Sequence, residues 1–272
     1  MARPFWTSVL FGAALAPISA FSAQAHEFWL LPNDFTVEDG TQIEVSLRNG
    51  EKMKGIEVPY LPGTIARFEL VIGDAVTPVT SRLGDTPAMS VLAPASGLAI
   101  VLHQTNPTLL TYKDFGKFQR FVTHKAMPQI LAEHAARGLP ETGFIEDYSR
   151  YAKSLIAIGA GEGADRAMGL RIEIVALANP YTDDLTAGMP LQVLLDGQPR
   201  NAAQLELFVT APDGTITQTA YITDAKGQVT VPAQSGYTYL ADSVDIFALP
   251  NNDATAGPVW HSDWASLTYL VP

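Results

Sequence analysis

Five histidines and no cysteine set the metal and nucleophile chemistry open to this 272-residue chain. Without thiols there are no disulfides, no thiolate metal ligands and no cysteine nucleophile. Any transition-metal site must therefore use imidazole, carboxylate and backbone groups. The histidines are His26, His103, His124, His134 and His261. His26 stands apart because the stretch Ala23 to Pro32 reads AQAHEFWLLP, and Ala23-Gln-Ala25 is a small-x-small pattern that signal peptidase accepts. Arg3 supplies a positive start. Val9 to Phe21 is an apolar run interrupted by Pro17, shorter than the roughly 20 residues of a membrane-spanning helix. Cleavage after Ala25 makes His26 the first residue of an exported chain. Its free α-amine and its own Nδ1 then chelate one metal ion, and a second histidine completes a nitrogen set suited to Cu(II) or Ni(II).

His261 lies in Trp260-His-Ser-Asp-Trp264, where Asp263 is a second donor or an orienting group. Read for packing alone, this is a polar loop between two tryptophans before the last strand. His124 and His134 fall ten apart in a helical stretch, off the i, i+4 spacing that shares one face, and are expected to be solvated. Glu133 offers an oxygen donor beside His134. His103 is expected at a strand edge. The metal set expected is thus His26, His261 and Asp263, with nickel, cobalt or copper as the ion; the plainer reading is that His26 merely begins a strand.

Catalytic signatures are missing. Gly159-Ala-Gly-Glu-Gly163 lacks the Lys-Ser/Thr of a phosphate loop, and Glu162 would repel phosphate, so it reads as a flexible link. There is no Gly-x-Ser-x-Gly elbow and no His-Glu-x-x-His helix. Carboxylates are plentiful, but nothing singles out a glycosidase pair. Acidic residues outnumber basic ones 28 to 17; losing Arg3 leaves 28 against 16, a balance of −12. That charge disfavours nucleic acid and attracts cations. The reading is non-catalytic.

The elements that must position these residues are mostly short strands. Thr41 to Arg48 alternates, with Ile43, Val45 and Leu47 on one face. Arg67 to Ile72, Met89 to Leu92 and Leu98 to His103 follow, separated by Gly, Pro and Asp turns. Lys113 to Gly138 places Phe115, Phe118 and Val122 at helical spacing, with Pro128 ending one helix or starting the next. Glu141 to Ile158 reads as a second helical segment, its Tyr148 and Tyr151 packing on a β domain. From Gly169 the alternation returns: Leu170 to Val175, Pro190 to Leu195, Gln204 to Val209, Thr223 to Val231 and Trp264 to Val271. The expected architecture is mainly β: two immunoglobulin-like β-sandwich domains with a helical excursion between them. Its boundaries are a signal peptide over 1–25, a β domain over 26–112, the excursion and linker over 113–165, and a C-terminal sandwich over 166–272. No segment after the leader is apolar enough to span a membrane.

Four stretches together resemble a known family: His26-Glu-Phe-Trp-Leu-Leu-Pro32, Tyr148-Ser-Arg-Tyr-Ala-Lys153, Glu173-Ile-Val-Ala-Leu-Ala-Asn-Pro-Tyr181, and Trp260 to Thr268 with Trp-Ala-Ser-Leu-Thr inside it. They are similar to the DUF4198 family of exported bacterial proteins. The resemblance implies a periplasmic, non-catalytic protein with β-sandwich modules, associated with nickel or cobalt uptake and a membrane metal transporter. The functional expectation is binding of a divalent transition ion for uptake. The alternatives are an adaptor module that docks to a transporter or receptor without metal, and a copper-binding protein using the N-terminal histidine.

Overall fold

Ile43, Val45 and Leu47, the alternate apolar residues of the first expected strand, are all buried in the computed structural model, in one cluster with Phe28, Leu30 and Met89. Residues 27–272 are described; the expected leader and His26 lie outside them. The first strands are β1 (Glu27–Pro32), β2 (Thr36–Val37), β3 (Gln42–Glu51), β4 (Lys54–Val58), β5 (Ile65–Ile72), β6 (Ala75–Pro78), β7 (Met89–Leu92), β8 (Gly97–Thr105) and β9 (Thr108–Thr111). Two helices follow, α1 (Phe115–His124) and α2 (Gln129–Ala136). The remaining strands are β10 (Ile145–Ile158), β11 (Ile172–Ala176), β12 (Met189–Leu195), β13 (Gln198–Pro199), β14 (Gln204–Thr210), β15 (Ile216–Ile222), β16 (Gln228–Val231), β17 (Tyr237–Ala248) and β18 (Trp260–Val271).

The strands form a β-sandwich around one long central sheet. Its order is β15-β14-β17-β18-β10-β8-β5-β6, with β2 and β9 paired to opposite ends of β10. The sheet of β11, β12, β13 and β16 buries one of its faces, in a cluster that includes Ile172, Leu191, Leu205, Tyr239 and Leu267. The other face is covered in part by the sheet of β1, β3, β4 and β7, and in part by α1 and α2. The two β halves are therefore stitched together, with β10 and β18 paired in parallel from Glu146↔Trp260 to Ser154↔Thr268.

The helical stretch behaves as its pattern predicts up to residue 138. Asp114 caps α1 by accepting from the Gly116 amide at 2.9 Å, and Pro128 sits at the start of α2. The second helical segment is overturned: residues 145–158 are the strand β10. Tyr151 and Leu155 point into one core while Ala152, Ile156 and Ile158 point into the other. Burial on both faces erases the polar half of a strand's alternation, so the periodicity misled. The loop expected at Trp260–Trp264 is likewise strand, the start of β18.

The glycine-rich link is held rather than loose. Asn179 Nδ2 donates to the Gly161 and Gly163 carbonyls at 2.8 and 3.0 Å, and the Leu98 amide donates to the Glu162 carbonyl at 2.7 Å. Gly161 has φ +66°, and a Cβ there would lie 2.7 Å from that of Ala157. Among the described residues no helix is long and apolar enough to cross a membrane.

His103 is a core residue, 1% exposed, between the Phe28 and Phe68 rings at 5.2 and 5.1 Å. Neither ring nitrogen has a hydrogen-bond partner among the described residues. Burial pushes its pKa down from 6.5 to about 3. Below pH 6.5 the unfolded chain takes up a proton that the folded chain refuses, so stability falls as the pH drops toward 3. Urea unfolding at pH 7 and pH 4 is expected to show the native protein losing about 3 kcal/mol more than His103→Leu over that interval. An equal loss in both would mean that the folded protein protonates His103 without cost.

Candidate functional site

Lys125 follows the last residue of α1 and turns inward. Its side chain is 5% exposed, and its Nζ donates to Glu206 and to Asp242 Oδ1, the latter at 2.7 Å. Glu27 Oε1 lies 3.9 Å away, and the Trp264 ring centroid 5.0 Å. The three carboxylates come from β1, β14 and β17, so a single ammonium ties the first strand to two strands of the central sheet. Glu206 and Asp242 are direct partners across β14 and β17. Each stands on the face opposite the core residues Leu205, Leu207 and Ala241.

Three carboxylates against one ammonium leave the cluster acidic. Burial and the nearby Asp242 charge push Glu27 up to about 7, against the pull of Lys125. Burial also raises Asp242. Burial opposes the charge of Lys125, but Asp242, Glu206 and Glu27 outweigh it and hold its pKa above the usual lysine range. The second oxygen of Glu206 is 2.7 Å from His124 Nε2, whose side chain is 57% exposed. The Arg150 guanidinium lies over the Phe28 and Tyr148 rings at 5.5 and 4.9 Å.

A cavity of about 640 Å³ opens beside this cluster. Its walls include Leu110, Phe121 and Phe208, and Lys52, Lys117 and Arg120 also line it. Lys117, Arg120, Phe121 and His124 are spaced i, i+3, i+4, i+7, one face of α1. The opposite stripe, Phe118 and Val122, is buried in the helix core.

The other histidines are accounted for elsewhere. His261 Nδ1 is 2.5 Å from Asp147 Oδ1 and its Nε2 is 2.8 Å from Asp263 Oδ1. Asp263 Oδ2 also accepts from Arg171 Nε at 2.6 Å. Burial works against the His261 charge, but the bonds and charges of Asp263 and Asp147 prevail and its pKa is raised. With a carboxylate on each nitrogen, His261 has no lone pair for a metal. It also stands on the other face of β18 from Ser266 and Thr268, whose hydroxyls reach the Phe28 and Leu30 carbonyls of β1, and shares the side of Ala265 and Leu267. His134, expected at the surface, is 2% exposed. Its Nδ1 accepts from Trp260 Nε1 at 3.1 Å and its Nε2 donates to the Pro140 carbonyl at 3.0 Å. Among the described residues no group of three or more His, Asp or Glu side chains is arranged to hold a metal ion. His26, expected as the first metal ligand, lies outside the described residues.

The cluster was not singled out in the sequence. Its only trace there is that Glu206 and Asp242 each place a charge in a strand rich in apolar residues. A charge in such a strand must meet a partner.

The fold and this cluster define a β-sandwich protein with a buried ion cluster at its first described strand. Residues 23–244 match the family described as Domain of unknown function (DUF4198), and the chain belongs to that family. No curated protein matches it. Among solved structures, the tetra-tandem repeat in the extending region of a large adhesion protein aligns over 90% of this chain at 10% identity and a TM-score of 0.21. The chain spans about half of that structure's length, 49%. The fibronectin(III)-like modules of Clostridium thermocellum CbhA align over 89% of this chain and 94% of their own, at 10% identity and a TM-score of 0.19. Neither likeness carries weight for function.

Removing the ammonium strands the carboxylates. Lys125→Met is expected to cost roughly 3–5 kcal/mol in urea unfolding at pH 7, and adding Asp242→Asn should return part of that loss. If the single variant is as stable as the native protein, the cluster is not what holds β1 to the sheet.

Proposed function

We propose that the protein is a periplasmic binding protein for a divalent transition-metal ion, nickel, cobalt or copper, which it passes to a membrane uptake system. The donors in this reading are the α-amine and imidazole of His26, freed by cleavage after Ala25, and the imidazole of His124.

One observation carries the choice of His124. It is the described histidine with an exposed ring, one nitrogen engaged by a carboxylate, and no hydrogen-bond partner on the other among the described residues. A ligating histidine commonly donates its second N–H to a carboxylate, which fixes the ring and makes the free nitrogen a better donor. Glu206 stands where that role requires. His261 and His134 have both nitrogens engaged, and His103 is sealed in the core.

Chain connectivity supports bringing His26 to the same place. Glu27 follows it directly, and its carboxylate reaches into the cluster of Lys125 and Glu206, beside His124. Glu27 is also fixed at the start of β1, opposite Gly50. Termini normally fray, and a ligand there needs such an anchor. The acidic surface raises the local cation concentration without being the site.

Calorimetric titration of the processed chain with Ni²⁺, Co²⁺ and Cu²⁺ tests this. Binding of one ion is expected, weakened by about tenfold or more in His124→Ala and by one extra residue before His26, and unchanged in His261→Ala. Equal affinity in the extended chain or in His124→Ala contradicts the ligand set. No binding at micromolar metal favours a metal-free adaptor docking to a transporter.

A further inference from the structure

The cavity beside the ion cluster is far larger than a metal ion needs. At about 640 Å³ it falls within the usual range for a small organic ligand, roughly 300–1,000 Å³. A divalent ion with six waters occupies on the order of 180 Å³, taking about 30 Å³ for each water.

Its lining carries the carboxylates of Glu27 and Glu51 as well as a larger number of cations. In a chain with 28 acidic and 17 basic residues, Lys52, Lys117 and Arg120 converge on one opening. They come from two elements: Lys52 from the turn between β3 and β4, and the other two from α1. Lys52 is held at that turn in a left-handed backbone conformation, φ 51°, its amide donating to Glu27 Oε2 at 3.3 Å. Lys125, at the floor, is already neutralised by its own carboxylates and is no part of this set. Arg120 has one carboxylate nearby, Asp114 at 3.7 Å, and both are largely exposed. An ion pair so solvated holds an arginine weakly.

Part of the lining is apolar. Phe208 is 1% exposed and belongs to the core, and Phe121 is fixed by stacking on Trp264 at 5.2 Å. Leu110 lines the cavity with them. Glu27 faces Lys125 and the Lys52 amide, so the three cations outnumber Glu51 at the opening, and a neutral apolar molecule leaves them unused. We infer that this cavity binds a small amphipathic organic anion, its apolar body against Leu110, Phe121 and Phe208 and its acid group on Lys52, Lys117 and Arg120. The inference stands on the cavity lining and does not require the metal reading.

Two fluorescent probes of similar shape and different charge test it in metal-free buffer: anionic 8-anilinonaphthalene-1-sulfonate and uncharged N-phenyl-1-naphthylamine. The native protein is expected to bind one equivalent of the anionic probe, about tenfold or more tighter than the neutral one. The preference should shrink in about 0.5 M NaCl. It should vanish in Lys117→Ala/Arg120→Ala, whose urea midpoint is expected to match the native one because neither side chain is in the core. Equal affinity for the two probes, no binding of the anionic probe, or an unchanged preference in the double variant would overturn the inference. Metal titration is independent of all three results.

Discussion

The placement of Lys125 is the constraint on which the β1 end of the molecule depends. Its ammonium meets Glu206, Asp242 and Glu27, and those carboxylates belong to strands far apart in the chain. Burying three acids together is unfavourable, and one ammonium only partly offsets it, which is why Glu27 rests near 7. The same contact positions everything around it. It pulls the end of α1 onto the sheet, sets His124 against Glu206, and leaves the charged face of α1 looking into the cavity.

The second constraint is the parallel pairing of β10 with β18, which joins the two halves of the central sheet. Three of the stretches that carry the family resemblance serve this seam. Lys153 of β10 is 1% exposed and bonds Asp165 at 2.7 Å and Glu173 of β11 at 3.0 Å. Glu173 in turn accepts from the Met168 and Leu170 amides. Asn179 holds the glycine loop, and Tyr181 donates to the Leu155 carbonyl at 2.6 Å. On β18, Ser266 and Thr268 donate to the Phe28 and Leu30 carbonyls at 2.7 Å each, docking β1. The fourth stretch is β1 itself, so the resemblance traces the supports of the site.

What the sequence revealed divides along burial. Strands with one wet face were legible: β3, β5 and β12 each show their alternation, and the turn Asp196-Gly197 closes a hairpin with both residues at positive φ. β10 was not legible, because the run Ala152 to Ile158 is buried on both faces and its polar members are paired inside. Histidines were misjudged for the same reason. His134 and His103 sit in cores that form only in three dimensions, and both ring nitrogens of His261 are taken, one by Asp263 and the other by Asp147, which is remote in sequence. The ion cluster joins residues 27, 125, 206 and 242, and no sequence spacing connects them.

The central claim is that the fold brings the residue-26 end and His124 to one place and keeps His261 away from it. A crystal structure of the processed chain soaked with Cu²⁺ or Ni²⁺, read at the metal's absorption edge, addresses it directly. The account predicts one strong anomalous peak about 2 Å from His124 Nδ1 and from the amine and imidazole nitrogens of His26. A peak at His261 and Asp263, or a His26 amine turned away from His124 in a metal-loaded crystal, would contradict it.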